Sequence, residues 1–293
     1  MKHGNFKIKE KKNRLSPLTI AMLVVLILYS LSLLGMIFWA VLTVLKEPNE
    51  FLFNRVGLPE EWYFKNIPFV LKTELPGHEE TSFAEIVWNS IFYSVGCSLV
   101  NTFVTGIIAY LCARYKCAFS KFIYSLVLVV MVIPVVGNQT SELQMAIRLG
   151  IYDKMFGMLI MRATFLGLYF LVFYDMFAAV PMAYSEAAEI DGAGDFEIMV
   201  KIFFPIASNT FVTVALITFI GYWNNYQVPM LYVPSSPTLA EWVFRIVDLS
   251  KPGYTQAPVK LAAAMILLLP VVAIFLLTHK RLLGNLSIGG VKG

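Results

Sequence analysis

Six stretches of this chain stay apolar for about as long as a helix needs to cross a bilayer, and that repetition constrains the fold more than any motif does. A hydrocarbon core of about 30 Å takes about 20 residues of helix. Leu18 to Leu45, Ile86 to Ala113 and Phe122 to Ser141 carry no charge. Met155 to Val180 is interrupted by Arg162 and Asp175, Ile202 to about Tyr232 exceeds one span, and Leu261 to Thr278 closes the series. Only 14% of residues are charged, against roughly 25% in a soluble domain. The reading is an all-α membrane protein with six transmembrane helices. It divides into a basic tail (1–17), a first span (18–45), an external segment (46–82), a five-helix core (83–278) holding a polar loop at 185–205, and a tail (279–293).

Charge distribution sets the topology. Lys2, Lys7, Lys9, Lys11, Lys12 and Arg14 face the single acid Glu10, and Arg114, Lys116, Lys121 and later Lys280, Arg281 and Lys292 repeat the bias. By the positive-inside rule these segments are cytoplasmic, so six spans put both termini inside. The first apolar run is too long for the core of a cleaved signal peptide. Cys97, Cys112 and Cys117 form no Cys-x-x-Cys pair and read as free thiols.

The longest polar interruption between the late spans runs from Ser185 through Phe196 to Pro205. Ser185 suits an N-cap, with Glu186 and Glu189 in the first turn where acids complement the helix dipole. Gly192 and Gly194 break that helix. Beyond them Phe196, Met199, Val200 and Phe203 recur at i, i+3, i+4 and i+7, with Glu197 and Lys201 as an i,i+4 pair. That spacing predicts an amphipathic helix at a boundary rather than another span.

The pattern Glu186-Ala187-Ala188, three residues, Gly192, nine residues, Ile202-x-x-Pro205 resembles the cytoplasmic loop of ABC importer permeases, with Phe204 where the family usually has Leu. The closing Gly289-Gly290-Val291-Lys292-Gly293 is similar to the tail of maltose-type permease subunits. The resemblance implies a type I ABC importer permease architecture. Glu186, Ala187, Ala188, Asp191, Gly192, Ala193 and Pro205 would form a coupling helix docking into a cleft on the ATPase subunit, and Gly289, Gly290, Val291, Lys292 and Gly293 would reach between the ATPases. It implies as partners a second homologous permease subunit, two ATPase subunits and an extracytoplasmic solute-binding protein. A sugar or oligosaccharide would be the cargo, in the cytoplasmic membrane of a bacterium, with no nucleic acid. ATP and Mg would be bound by the ATPase partners, and no cofactor by this chain.

Other polar residues bear on a solute path. After Ile133-Pro134, where proline kinks a helix, come Gly137, Asn138, Gln139, Thr140, Glu142, Gln144 and Arg148, suited equally to a solute pathway or to an external helix end. Arg162 and Asp175, thirteen residues apart, fall about 220° apart on a continuous helix and cannot pair there. Asn101, deep in the second span, needs a partner. Trp223, Asn224 and Tyr226 offer hydrogen bonds beside aromatic faces, which suits sugar binding, although an aromatic belt with a polar helix end explains the same residues. Trp62-Tyr63-Phe64 reads as interfacial anchoring or as a contact for a binding protein. The tentative pathway is therefore Asn138, Gln139, Arg162, Trp223, Asn224 and Tyr226.

No Gly-x-x-x-x-Gly-Lys-[Ser/Thr] loop occurs, and His3, His78 and His279 are too dispersed to converge on a metal. Hydrolysis of ATP therefore falls to another chain. Rival readings are an ion-coupled secondary transporter, for which no internal inverted symmetry is visible, and a membrane-embedded enzyme.

Overall fold

The computed structural model describes residues 16–75, 77–133, 137–249 and 253–286. The basic tail up to residue 15, Pro134 and the Gly289–Gly293 segment lie outside the described residues. Within them the chain is helical, with one isolated bridge between Leu75 and His78 and no named strand.

Helix α1 (Pro17–Val44) opens as proline-led helices do: Ser16 Oγ accepts the Thr19 N–H at 3.2 Å, and Pro17 occupies the first turn. It is apolar around its circumference and buried only at Leu42, Thr43 and Val44, as a lipid-facing helix would be. The segment after α1 folds back over its end through a short 3-10 turn (Glu50–Leu52) and α2 (Asn66–Leu71). Buried Lys46 donates to the Asn54 carbonyl at 2.6 Å. Asn66 Nδ2 bridges the carbonyls of Val44 and Lys46 at 2.7 Å each.

Helix α3 (Phe83–Arg114) is the central post. Ser82 Oγ caps it by accepting the Glu85 N–H at 3.2 Å. Its buried face is built of small residues, among them Ser94, Ser98, Thr102, Thr105, Gly106 and Ala109, which let backbones approach closely. A Cβ at Gly106 would stand 2.5 Å from the Phe211 ring, so the absence of a side chain is what admits that ring. The remaining helices are α4 (Ala118–Val132), α5 (Gln139–Arg148), α6 (Met155–Met161), α7 (Leu168–Ala178), α8 (Ala183–Ile190), α9 (Asp195–Ile198), α10 (Phe204–Trp223), α11 (Gln227–Tyr232), α12 (Leu239–Asp248) and α13 (Ala257–Leu286). Helices α7 and α10 flank α3 and share with it and α4 a core of Ala109, Tyr110, Val127, Phe170, Phe173, Phe177, Phe203 and Phe211.

Four features depart from the expected pattern. The third apolar run forms only the 15-residue α4, and the polar residues after Gly137 form their own helix, α5. The fourth run is broken between α6 and α7, because Arg162 ends the first piece and Gly167 precedes the second. The angular argument for Arg162 and Asp175 therefore does not apply. Third, Ser185 is not an N-cap: α8 starts two residues earlier, after Met182, and the Ser185 hydroxyl donates to the Met182 carbonyl at 2.8 Å.

The fourth departure is that the expected amphipathic helix is continuous with the fifth span over Asp195–Trp223, through a π turn at Met199–Phe203. Pro205 lacks an N–H and its ring crowds the carbonyl four residues back. In the wider turn the Phe204 N–H reaches Met199 instead. The extra residue rotates the buried stripe to Ile198, Phe203 and Ala207, leaving Phe196 75% exposed.

Among the described residues, four helices are long and apolar enough to cross a membrane, or five if α7 and α8, bent by 65° at their junction, count as one. Helix α4 is a shorter apolar helix beside them. Overpacking at α3 should be costly: Gly106→Leu is expected to lower stability in detergent by about 1–3 kcal/mol. Gly35→Leu on α1, with nothing within 4 Å of the added carbon, should leave the unfolding midpoint unchanged. Equal losses at the two positions would contradict the packing described.

Candidate functional site

The loop from α8 to the π turn is built around one glycine. Helix α8 ends in two reciprocal bonds, the Gly192 N–H to the Glu189 carbonyl at 3.0 Å and the Ala193 N–H to the Ala188 carbonyl at 2.9 Å. Gly192 itself has φ +86°. This is the Schellman arrangement, in which the residue just past the helix must turn left-handed and glycine does so without steric cost. Ala188 and Ala193 meet where such a motif closes and pack on the core of α3, α7 and α10. Glu186, Ala187, Asp191 and Gly192 face outward, as does Pro205. Ile190 is 86% exposed and forms, with Phe196, a pair of apolar knobs on an otherwise acidic surface.

The loop is fastened to the C-terminal end of α3. The Arg114 guanidinium donates to the Val180 carbonyl at 3.4 Å and to Ser185 Oγ, and lies 4.4 Å from the centre of the Phe203 ring. The Tyr115 phenol lies beside the Asp195 carboxylate, and its pKa is pushed up to about 12, first by partial burial and then by that carboxylate. The hydroxyl therefore remains a donor across the physiological range. Sequence reasoning saw Arg114 only as a topology signal. Its partners stand 66 and 71 residues away, and nothing local marks them.

A second polar cluster fills the break between α6 and α7. Asn101 Nδ2 donates to the carbonyls of Arg162 at 3.3 Å and Thr164 at 2.9 Å, and Thr105 Oγ1 to Thr164 at 3.1 Å. Arg162 pairs with Glu142 at 3.5 Å, and the same carboxylate accepts from Tyr232 Oη at 3.3 Å. Arg162 Nε and the hydroxyl of buried Tyr93 have no hydrogen-bond partner. Tyr93, Cys97, Asn101 and Thr105, spaced by four along α3, trace this polar stripe, and the spacing was available in the sequence.

The structure brings only some of the tentative pathway residues together. Asn138 stands at the N-cap position of α5 and donates to Glu142, and the Gln139 carbonyl accepts from Tyr232 at 3.0 Å, so both connect to Arg162 through Glu142 and Tyr232. The others are taken up by the fold: buried Trp223 donates to the Leu267 carbonyl at 3.0 Å, and exposed Asn224 donates to Ile220 at 2.9 Å. The Tyr226 ring stacks on Phe244 at 4.2 Å.

Residues 102–281 match the family described as the binding-protein-dependent transport system inner membrane component, and the chain belongs to that family. The match covers the Glu186–Pro205 loop and bears out the resemblance read there. Relatives include a diacetylchitobiose uptake system permease protein of Streptomyces coelicolor, 24% identical over 273 residues, 90% of this chain and 86% of that one. Another is an arabinooligosaccharides transport system permease protein of Bacillus subtilis, 24% identical over 280 residues, 94% and 96% of the two chains. The fold is shared, at TM-score 0.74 and 22% identity over 89% of this chain and 95% of the other, with a chain from the crystal structure of a bacterial ABC transporter involved in the import of the acidic polysaccharide alginate. Membership makes the protein a multi-pass inner-membrane transport component rather than an enzyme.

Two outcomes follow from this geometry. Glu142→Gln should lower stability in detergent by about 1–3 kcal/mol by leaving Arg162 underpaired, and combining it with Arg162→Gln should cost less than the sum of the single losses. Additive losses would mean the two are not coupled. Cys117 is the exposed thiol, Cys97 and Cys112 being buried, and the Ser120 hydroxyl 3.3 Å away lowers its pKa. Maleimide should label Cys117 first, and Ser120→Ala should move the midpoint of its rate–pH curve upward. An unmoved midpoint would remove Ser120 from that role.

Proposed function

We propose that this chain is one of two transmembrane permease subunits of an ATP-driven ABC importer for a sugar or oligosaccharide. Three of its relatives are named for uptake or transport of diacetylchitobiose, of arabinooligosaccharides and of melibiose, raffinose and stachyose, and that supports the carbohydrate reading. The chain makes six crossings when α4, and α6 with α7 taken together, are added to the four long apolar helices; both termini then face the cytoplasm. A solute-binding protein delivers the cargo outside. Two ATPase subunits, binding ATP and Mg, close on the inside, and a second permease completes the pathway.

The observation that carries this reading is the loop around Gly192. Glu186, Glu189 and Asp191 surround Ile190 on an exposed turn, and Phe196 stands beyond it. Apolar knobs in an acidic rim suit a protein cleft better than they suit water or a lipid surface. Closure of the ATPases would displace this loop and rock the attached helices into alternating access. Of the pathway candidates, Asn138 and Gln139 at the start of α5 and Arg162 at the end of α6 are linked through Glu142 and Tyr232 and are read as the group that meets solute, while Trp223, Asn224 and Tyr226 serve packing. The ion-coupled alternative gains no support from Arg162 and Glu142, which already neutralise each other.

In proteoliposomes containing the complete complex, solute uptake should follow internal ATP and ignore a collapsed proton gradient. Gly192→Val forces a β-branched residue into left-handed backbone. It should abolish solute-stimulated ATP hydrolysis while the protein still reaches the membrane. Uptake that needs the gradient and not ATP would establish the ion-coupled alternative, and stimulation surviving at Gly192→Val would remove the loop from coupling.

A further inference from the structure

Two consecutive residues at the inner end of α3 touch every part of the loop. Arg114 binds the carbonyl of Val180 at the end of α7, the hydroxyl of Ser185 in α8 and the face of Phe203 in the π turn. Tyr115, the C-cap of α3, lies beside Asp195 in the first turn of α9. The loop's covalent neighbours, α7 and α10, are joined to it through a 65° bend on one side and a π turn on the other. Neither joint runs through α3, and a planar guanidinium that donates two ways and stacks on a ring fixes the loop to that helix directly.

We propose that Arg114 and Tyr115 form a clasp through which displacement of the loop is delivered to α3, making them positioning residues for coupling. The inference rests on the coupling role proposed for the loop and adds the route by which its motion enters the bundle. Helix α3 is the right recipient. It carries Asn101 and Thr105, which hold the break at Arg162 to Thr164, so a push on Arg114 reaches the polar junction along one rigid helix. Ser185 is locked into the same arrangement, because its hydroxyl accepts from Arg114 while donating to Met182.

The test compares solute moved per ATP hydrolysed, in proteoliposomes of the complete complex, for wild type, Arg114→Gln, Arg114→Lys and Tyr115→Phe. Arg114→Gln is expected to keep ATPase co-purification and hydrolysis but to lower the transport ratio by about tenfold, the effect of losing a charge-assisted contact. Arg114→Lys, retaining charge without the planar fork, should recover only part of it. Tyr115→Phe removes one hydroxyl without threatening folding, and should lower the ratio by about threefold, the effect of losing one polar contact with Asp195. If Arg114→Gln fails to reach the membrane, Tyr115→Phe decides the matter. An unchanged ratio in Tyr115→Phe and in any Arg114 variant that assembles would overturn the clasp, and so would loss of ATPase binding in Arg114→Gln with the ratio intact in Tyr115→Phe. Failure of wild type itself to co-purify with an ATPase would instead overturn the importer reading, so the two failures are distinguishable.

Discussion

A bilayer interior offers no hydrogen-bond partner, so each carbonyl released where a helix stops or breaks must be met by the protein itself. This chain meets that constraint repeatedly with side chains drawn from elsewhere in the sequence. Asn66 satisfies Val44 and Lys46 at the end of α1, and Asn101 with Thr105 satisfies Arg162 and Thr164. Arg114 reaches Val180 above the loop, and Trp223 reaches Leu267 on α13 near its internal Pro270. Three of these donors stand on α3. The most buried of the four long apolar helices is thus also the one that permits its neighbours to be irregular.

Irregularity is what a transport component needs. Broken and bent segments can move as pieces, whereas a bundle of uninterrupted helices resists displacement. Here the breaks lie at both ends of one path: the polar junction around Arg162, and the α7–α8 bend with the π turn. Helix α3 runs between them as a single uninterrupted element.

The sequence made the spans legible because apolar length is a direct consequence of bilayer thickness. The loop was legible too, because Gly192 occupies a backbone position where other residues are strained, and a spacing motif records that requirement. The break after Arg162 was hidden, since Ala163 to Leu166 is as apolar as a helix and only Asn101, sixty-one residues earlier, shows that carbonyls there need donors. The π turn was hidden for a different reason. Pro205 disturbs the turn before it, and a periodicity count assumes that turn is regular, so the expected face at Phe196 and Val200 came out rotated into solvent. Trp223 and Tyr226 looked like sugar-binding chemistry because composition does not reveal that an indole N–H is already spent on Leu267.

The central claim is that the Gly192 loop is where this chain meets its energy source. Ile190→Cys places a thiol at the most exposed apolar point of the loop, and site-specific crosslinking from it in native membranes tests the claim without reconstitution. The account predicts one dominant adduct with a nucleotide-binding chain, changed in yield by ATP, and none from Gly35→Cys on the lipid-facing α1. Crosslinking to lipid or to no protein at all, with the chain still active in transport, would contradict it.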